Sequence, residues 1–396
     1  MTFGTHCHHH PDGNCHRNPL HCILPPHMLK ELAEQGTPLE RERAIRSLVL
    51  SGQFRGQRQQ IAELTTRPPA REAIAVKQRI IYDAGGQTEL PGRRVRGEGD
   101  PPTGDAAVDE AYDGAGETFD LYQVIYGRNS IDDRGMDLIS TVHYGQSYDN
   151  AFWDGKQMTY GDGDEDLPES ERLFNRFTIA IDIIAHELTH GVTQYEAGLV
   201  YRNQPGALNE SFSDVFGALV KQRQRNQTAT EADWIIGEGL FTRNISATGI
   251  RSMKAPGTAY NDPKLGKDPQ PAYMRDIYKG FEDNGGVHIN SGIPNYAFYL
   301  AARELGGYAW EKAGRIWYIA LRDKLRPTST FWDAARETYQ VAGELFGAGS
   351  LEQQAVRNGW TTVGLTVDSP PQQPPSFEPP GCLTAPMSIL FRSFFG

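Results

Sequence analysis

The sequence predicts an α+β protein in which strands come first, helices come second, and a buried, metal-bearing helix joins the two. Three observations carry this. Short β-branched and aromatic runs broken by Gly, Pro and Asp dominate residues 76–160. Apolar faces at helical spacing dominate from Ser170 onward. Between the two textures lies Asp182-Ile-Ile-Ala-His-Glu-Leu-Thr-His190, with two histidines four apart. At 396 residues the chain is long enough for more than one domain. It divides into an N-terminal segment and linker (1–69), a strand-rich unit ending in the central helix (70–205), a helical unit (206–366) and a Pro-rich tail (367–396).

The N-terminal segment stands apart in composition. Residues 1–65 carry seven Lys/Arg against six Asp/Glu, so the chain's net charge of −11 falls on the remainder. Seven of the eleven His and three of the four Cys lie within the first 27 residues. That tract reads either as a metal-binding stretch or as a tag-like tail, and its spacing matches no regular zinc knuckle. Cys22-Ile-Leu-Pro-Pro26 is expected to be extended, because a residue before proline avoids the helical region. A helix over His27–Ala33 follows and stops near Gly36. A second opens on Thr37-Pro38-Leu39-Glu40, a capping box with proline at the first helical position. Thr65–Ala70 reads as a linker. Two short helices cannot bury a core alone, so this segment is expected to dock on the body or be removed.

In the strand-rich unit, Arg79–Tyr82 and Gly86–Leu90 read as a hairpin, and Ala106–Tyr126 contains a helix. Ile139–Tyr144 alternates as a strand, while Asn150–Trp153 and Gln157–Tyr160 read as an edge strand and its partner. Gly161-Asp-Gly-Asp-Glu-Asp166 reads as a solvated charged turn rather than a calcium loop. One long helix is expected from Ser170 to Thr193, burying Phe174, Phe177, Ile181, Ile184 and Leu188. Further helices are expected over Gly206–Lys221, Pro294–Leu305, Ala309–Leu325 and Thr330–Leu345. The tail from Val367 is proline-rich and then apolar, extended in its first part and too short at its end to span a bilayer.

Residues four apart share a helix face, so His186 and His190 can offer two imidazoles to one metal ion. Glu187 sits one step round, near enough to act on a water beside that metal without ligating it. Nineteen residues lie between His190 and Glu210, room to end one helix and return on a second. Catalytic zinc takes three protein ligands and keeps one position open, which makes Glu210 the natural third. Asp214 follows on the same face as Glu210 and can accept the free N–H of a ligand histidine. Asn209 and Ser213 read as packing or capping residues.

Several separated motifs resemble the thermolysin family of zinc endopeptidases. They are Asn150-Ala-Phe-Trp153, Tyr160-Gly-Asp-Gly163, His186–His190, Ala197-Gly198 with Tyr201, Asn209–Asp214, Arg251-Ser-Met253 and Asp283-Asn-Gly-Gly-Val-His-Ile-Asn-Ser-Gly292. The likeness runs from about Ile80 to Gly364, and the first 65 residues resemble the short propeptide of protealysin-like members. It implies one Zn²⁺ on His186, His190 and Glu210, with Glu187 as general base. It implies Tyr201 and His288 as donors to the oxyanion, with Asp283 orienting His288. Asn150, the Ala151 carbonyl and Arg251 would hold the substrate backbone. Phe174, Phe177, Ile183, Leu240 and Ile250 would line the pocket after the cleaved bond, favouring a bulky apolar residue there; by periodicity alone they read equally as core. Asp182, Asp233 and Glu238 match part of a paired calcium site, but Lys221 and Gly239 stand where acids are expected. The resemblance therefore implies at most one Ca²⁺ there. The expected protein is a zymogen whose own propeptide lies across the cleft, with Cys22 offering a thiolate to the zinc or the Pro-Pro turn blocking it sterically.

Composition and rivals narrow the rest. The acidic balance argues against nucleic-acid partners, and no apolar run is long enough to span a membrane. The start has no apolar core behind a basic stretch, so export without a classical signal peptide is expected, with the cytoplasm as the alternative. The expected partners are peptide substrates of a monomeric enzyme. A silent zinc-stabilised binding protein, a metal-sequestering protein using the N-terminal tract and an aminopeptidase are the rival classes; the last would need an acidic anchor for a free amine, for which no motif stands out.

Overall fold

The strand-rich half is organised by a six-stranded mixed sheet. In the computed structural model, which describes residues 21–61 and 76–368 with the side chains of His21 and 52–61 left aside, its spatial order is β1-β5-β6-β4-β2-β3. The strands are β1 (His21–Cys22), β2 (Arg79–Asp83), β3 (Arg93–Gly97), β4 (Leu138–Val142), β5 (Ala151–Trp153) and β6 (Met158–Tyr160). β2, β4 and β6 run parallel, while β3, β5 and β1 are antiparallel to their neighbours. The His/Cys tract before residue 21, the linker Thr65–Ala70 and the Pro-rich tail from Ser369 lie outside the described residues.

The N-terminal segment docks on the body. β1 pairs with the edge strand β5, His21 opposite Trp153 and Cys22 opposite Phe152. Helices α1 (Pro26–Gln35) and α2 (Pro38–Ile61) follow. Glu40 accepts the Thr37 N–H at 2.7 Å, and the Thr37 hydroxyl accepts the Glu40 N–H at 3.4 Å, which is the capping box the sequence predicts. Ile23, Leu24, Met28, Leu29 and Leu32 are buried in the same hydrophobic core as the body. The segment is therefore held by burial of apolar surface, the dominant favourable term in packing.

Two expectations about the strand half are corrected. The partner of β2 is Arg93–Gly97 rather than Gly86–Leu90, because the chain turns at Gly92, with φ of +89°, before it comes back. The run Gly161–Asp166 is not wholly solvated. Asp164 is buried, accepting the backbone N–H groups of Leu173 and Phe174 and a guanidinium proton from Arg43. Those bonds also explain why the long helix expected from Ser170 begins only at Ile181. Residues 173–175 are not helical, with Phe174 bridging Phe241 and the Asn175 N–H donating to the Leu240 carbonyl.

The helical half comprises α4 (Ile181–Tyr195), α5 (Asn203–Gln224), α6 (Glu282–Asn290), α7 (Gly292–Leu305), α8 (Ala313–Ile319), α9 (Phe331–Phe346) and α10 (Leu351–Thr362); α3 (Ala106–Asp120) precedes them against the sheet. α10 was not expected from the sequence. Short strands β7 (Ile235–Ile236) and β8 (Arg251–Ser252) pair between α5 and α6. The contact that matters most for chemistry is α4 against α5. A Cβ on Gly217 would lie 2.6 Å from the Asp182 carbonyl oxygen, so only glycine lets the two backbones approach this closely. That approach sets Glu210 and Asp214 against the two histidines.

Candidate active site

His186 and His190 project from one face of α4, and their Nε2 atoms lie 3.0 Å apart. Glu210 on α5 closes the third corner, its Oε2 3.5 Å from His186 Nε2 and its Oε1 3.5 Å from His190 Nε2. Ligands about 2.0–2.2 Å from a tetrahedral ion stand roughly 3.3–3.5 Å from one another, so the three donors fit zinc. Glu210 Oε2 and Glu187 Oε1 are buried with no hydrogen-bond partner, which fits one as a metal ligand and the other as a base acting on water. His186, Glu187 and His190 form the one His/Cys/Asp/Glu group among the described residues whose donor atoms all lie within 4.8 Å.

Each histidine is fixed from behind. His186 Nδ1 lies 2.8 Å from Asp214 Oδ1, so its proton sits there and Nε2 faces the metal position. His190 Nδ1 lies 2.8 Å from Asn209 Oδ1 and 3.0 Å from Ser213 Oγ. Asn209 and Ser213 are thus more than the packing residues they were read as; they orient the second histidine. Asp214 is held in turn by Arg251, which donates twice at 2.8 Å, and by the Asn295 amide at 2.8 Å. Burial opposes the Asp214 charge, but Arg251 and His186 outweigh it and keep the carboxyl down at about 2.

Glu187 accepts the Trp153 N–H at 3.0 Å, which ties it to the edge strand, and burial pushes its carboxyl up to about 8. On the opposite wall His288 Nδ1 lies 2.6 Å from Asp283, which also accepts the His288 N–H at 2.8 Å. Burial works against the imidazolium, but Asp283 and Glu210 raise its pKa to about 8. Residues 283–286 all have left-handed φ, between 53° and 84°. Glycine is required at 285, where a Cβ would lie 2.1 Å from Asn203 Oδ1. Tyr201 donates to Glu210, and its hydroxyl is 3.1 Å from His288 Nε2.

Two comparisons with known families decide what this site is. The catalytic domain of the thermolysin metallopeptidases matches residues 75–194, and the alpha-helical domain of the same family matches residues 197–365. The chain belongs to the thermolysin metallopeptidase family. It is a metalloendopeptidase of a zinc-dependent family. An extracellular metalloprotease of Pectobacterium carotovorum is 49% identical over 88% of this chain and 97% of its own length. Thermolysin from Alicyclobacillus acidocaldarius is 41% identical over 72% of this chain and 50% of its own. The solved precursor of protealysin, from Serratia proteamaculans, superposes with a TM-score of 0.78 at 50% identity, over 87% of this chain and all of that one.

In this metallopeptidase the cleft is filled by the chain's own N-terminal segment. The Ile23 N–H donates to the Ala151 carbonyl at 3.3 Å and the Leu24 N–H to Asn150 Oδ1 at 3.0 Å. Arg251 Nη1 donates to the Ile23 carbonyl at 3.2 Å, and His288 Nε2 lies 3.0 Å from the Cys22 carbonyl. What remains of the cleft is a cavity of about 170 Å³ lined by Cys22, Leu24 and Pro26 on one side and Asn150, Tyr201 and His288 on the other. The Cys22 side chain packs in a cluster with Tyr144, Tyr148 and Phe152, and its carbonyl oxygen lies 3.0 Å from His288 Nε2.

The apolar residues expected to line a pocket come together. The Phe174 and Phe177 rings are 6.2 Å apart, the Leu240 carbonyl accepts the Asn175 N–H, and Ile183 and Ile250 both approach Gly237. All five are fully buried. The acids matched to a calcium site instead surround a lysine. Lys221 Nζ lies 3.0 Å from Asp182, 2.9 Å from Asp233 and 4.0 Å from Glu238, and Arg225 donates to Glu238 at 2.8 Å. An ammonium there supplies the positive charge that the three carboxylates need.

Proposed function

We propose that this enzyme is made as a latent zymogen and, once released, cuts internal peptide bonds that precede a bulky apolar residue. The observation that carries the proposal is the set of four backbone contacts made by residues 22–24 to Ala151, Asn150, Arg251 and His288. They are the contacts a substrate strand would make, with Cys22–Ile23 in the place of the bond to be cut. The solved protealysin precursor aligns over its whole length with 87% of this chain, which supports the zymogen reading. The Pectobacterium relative carries the name extracellular, and export of this chain is inferred with it; its appearance in culture medium is the check.

His186, His190 and Glu210 would hold the zinc, which when bound supplies a Lewis acid that polarises the scissile carbonyl and acidifies water. The remaining steps belong to this chain's own side chains. Glu187 takes a proton from the attacking water at its free Oε1 and hands it to the departing amine. Tyr201 and His288 donate to the oxygen of the carbonyl as it gains negative charge, and Asp283 keeps His288 turned towards it. Arg251 and Asn150 hold the strand beyond the cut, so the reacting bond stays in register.

Ile23 is the residue after the pseudo-scissile bond, and it is fully buried in the core that contains Phe174, Phe177, Ile183, Leu240 and Ile250. Peptides with Leu, Ile or Phe at that position should be cut about a hundredfold faster than peptides with Asp or Lys, since burying a charge there has no compensating partner. Equal kcat/KM across such a series would sink the pocket assignment.

A further inference from the structure

We infer that Asp149, Asp164 and Asp166 form a subsite for an arginine side chain of the peptide substrate, and that Arg43 fills it while the N-terminal segment is in place. The inference rests on the endopeptidase reading above and names a further determinant of its specificity. Arg43 is only 7% exposed. Its Nη1 donates to Asp166 Oδ1 at 2.9 Å and its Nη2 to Asp166 Oδ2 at 2.7 Å, a two-pronged pairing of guanidinium with carboxylate. Nη1 also donates to Asp164 Oδ1 at 3.0 Å.

The acids of the pocket all belong to the body. With Arg43 in place Asp164 is 3% exposed, and its Oδ2 accepts the N–H groups of Leu173 and Phe174, which are also residues of the body. Asp149 is 1% exposed, and its Oδ1 has no hydrogen-bond partner. A buried carboxyl without a partner costs stability, and such a group calls for an explanation. Burial, with Asp164 next to it, keeps the Asp149 carboxyl well above the ordinary range while Arg43 works in the opposite sense. The body thus carries a third acid that feels the Arg43 charge but makes no hydrogen bond to it.

The pocket lies on the path of a substrate. Residues 22–24 run antiparallel to β5 from Trp153 towards Asn150, and Asp149 is the next residue in that direction. An extended strand advances about 3.3 Å per residue, and an arginine side chain adds reach, so the third to fifth residues after the cut can enter. A cavity of about 630 Å³ lined in part by Ser147, Asp162, Glu165 and Asp166 adjoins the site and leaves room for the chain to continue.

The test uses the enzyme that the full chain becomes after its N-terminal segment is removed, with peptides that share one apolar residue after the cut. Arg, Lys, Ala or Glu is placed in turn at the third, fourth and fifth positions beyond it. Arg at one of them should raise kcat/KM about tenfold over Ala, with Lys weaker and Glu below Ala. Asp166→Asn should bring the Arg-to-Ala ratio close to one, and Asp166→Glu should restore part of it. Equal cutting of Arg and Ala peptides at all three positions would overturn the subsite and leave the endopeptidase reading standing. A ratio unmoved by Asp166→Asn would overturn it too. Failure to cut any of the peptides would instead count against the endopeptidase reading.

Discussion

Glu187→Gln is expected to lower kcat/KM by about two to four orders of magnitude while the protein keeps its fold and its zinc. Glutamine preserves the volume of a fully buried side chain and can still accept the Trp153 N–H through its amide oxygen. What it lacks is the ability to take a proton at the oxygen that is Glu187 Oε1. The metal donors His186, His190 and Glu210 are untouched, so metal content separates loss of the base from loss of the site. Peptide hydrolysis by the variant within tenfold of the parent would remove Glu187 from the mechanism.

Ile23→Ala in the full chain is expected to loosen the plug. Truncating a buried isoleucine costs about 2–3 kcal/mol at the low end of such changes, which shifts the ratio of closed to open cleft by roughly thirty- to a hundred-and-fortyfold. The readout is the lag before casein cleavage begins in freshly purified protein, which should shorten accordingly. The backbone contacts to Ala151 and Arg251 do not depend on the side chain and should survive, so latency weakens rather than vanishes. An unchanged lag would mean that α1 and α2, not the strand in the cleft, hold the enzyme closed.

Much of the chemistry was legible because it is local. His186, Glu187 and His190 share one helical turn and a quarter, and Glu210 and Asp214 share another, so sequence spacing alone sets their faces. The family likeness added Tyr201, Arg251 and His288, which no periodicity could have joined to the site. What escaped notice depends on contacts distant in sequence. Phe174 and Phe177 continue the apolar period of α4, yet the Asp164 carboxylate and the Leu240 carbonyl capture the backbone around them and prevent a helix. Asn209 looks like a packing residue until α5 meets α4 and its amide oxygen reaches His190. Asn295 gives no sequence signal at all, because its role is defined by Asp214, 81 residues earlier. α10 was missed for a similar reason: Leu351 is exposed, and its start is marked only by the Ser350 cap, which accepts the Gln353 N–H.

Lys221 shows the reverse case, a departure from the family pattern that was readable in advance. It stands where the family pattern has an acid, and its ammonium lies among Asp182, Asp233 and Glu238. Arg43 was not anticipated, since nothing in the amphipathic pattern of α2 distinguishes it from a surface arginine.

One ion held by His186, His190 and Glu210 is expected to be indispensable to hydrolysis. The direct measurement is to follow metal content and casein cleavage together while the released enzyme is stripped with a chelator and then titrated with zinc. Activity is expected to fall in proportion to zinc and to return in full at one zinc per chain, with no calcium required at the Lys221 cluster. Cleavage that persists after the zinc is gone, or that returns only with a second metal, would contradict it.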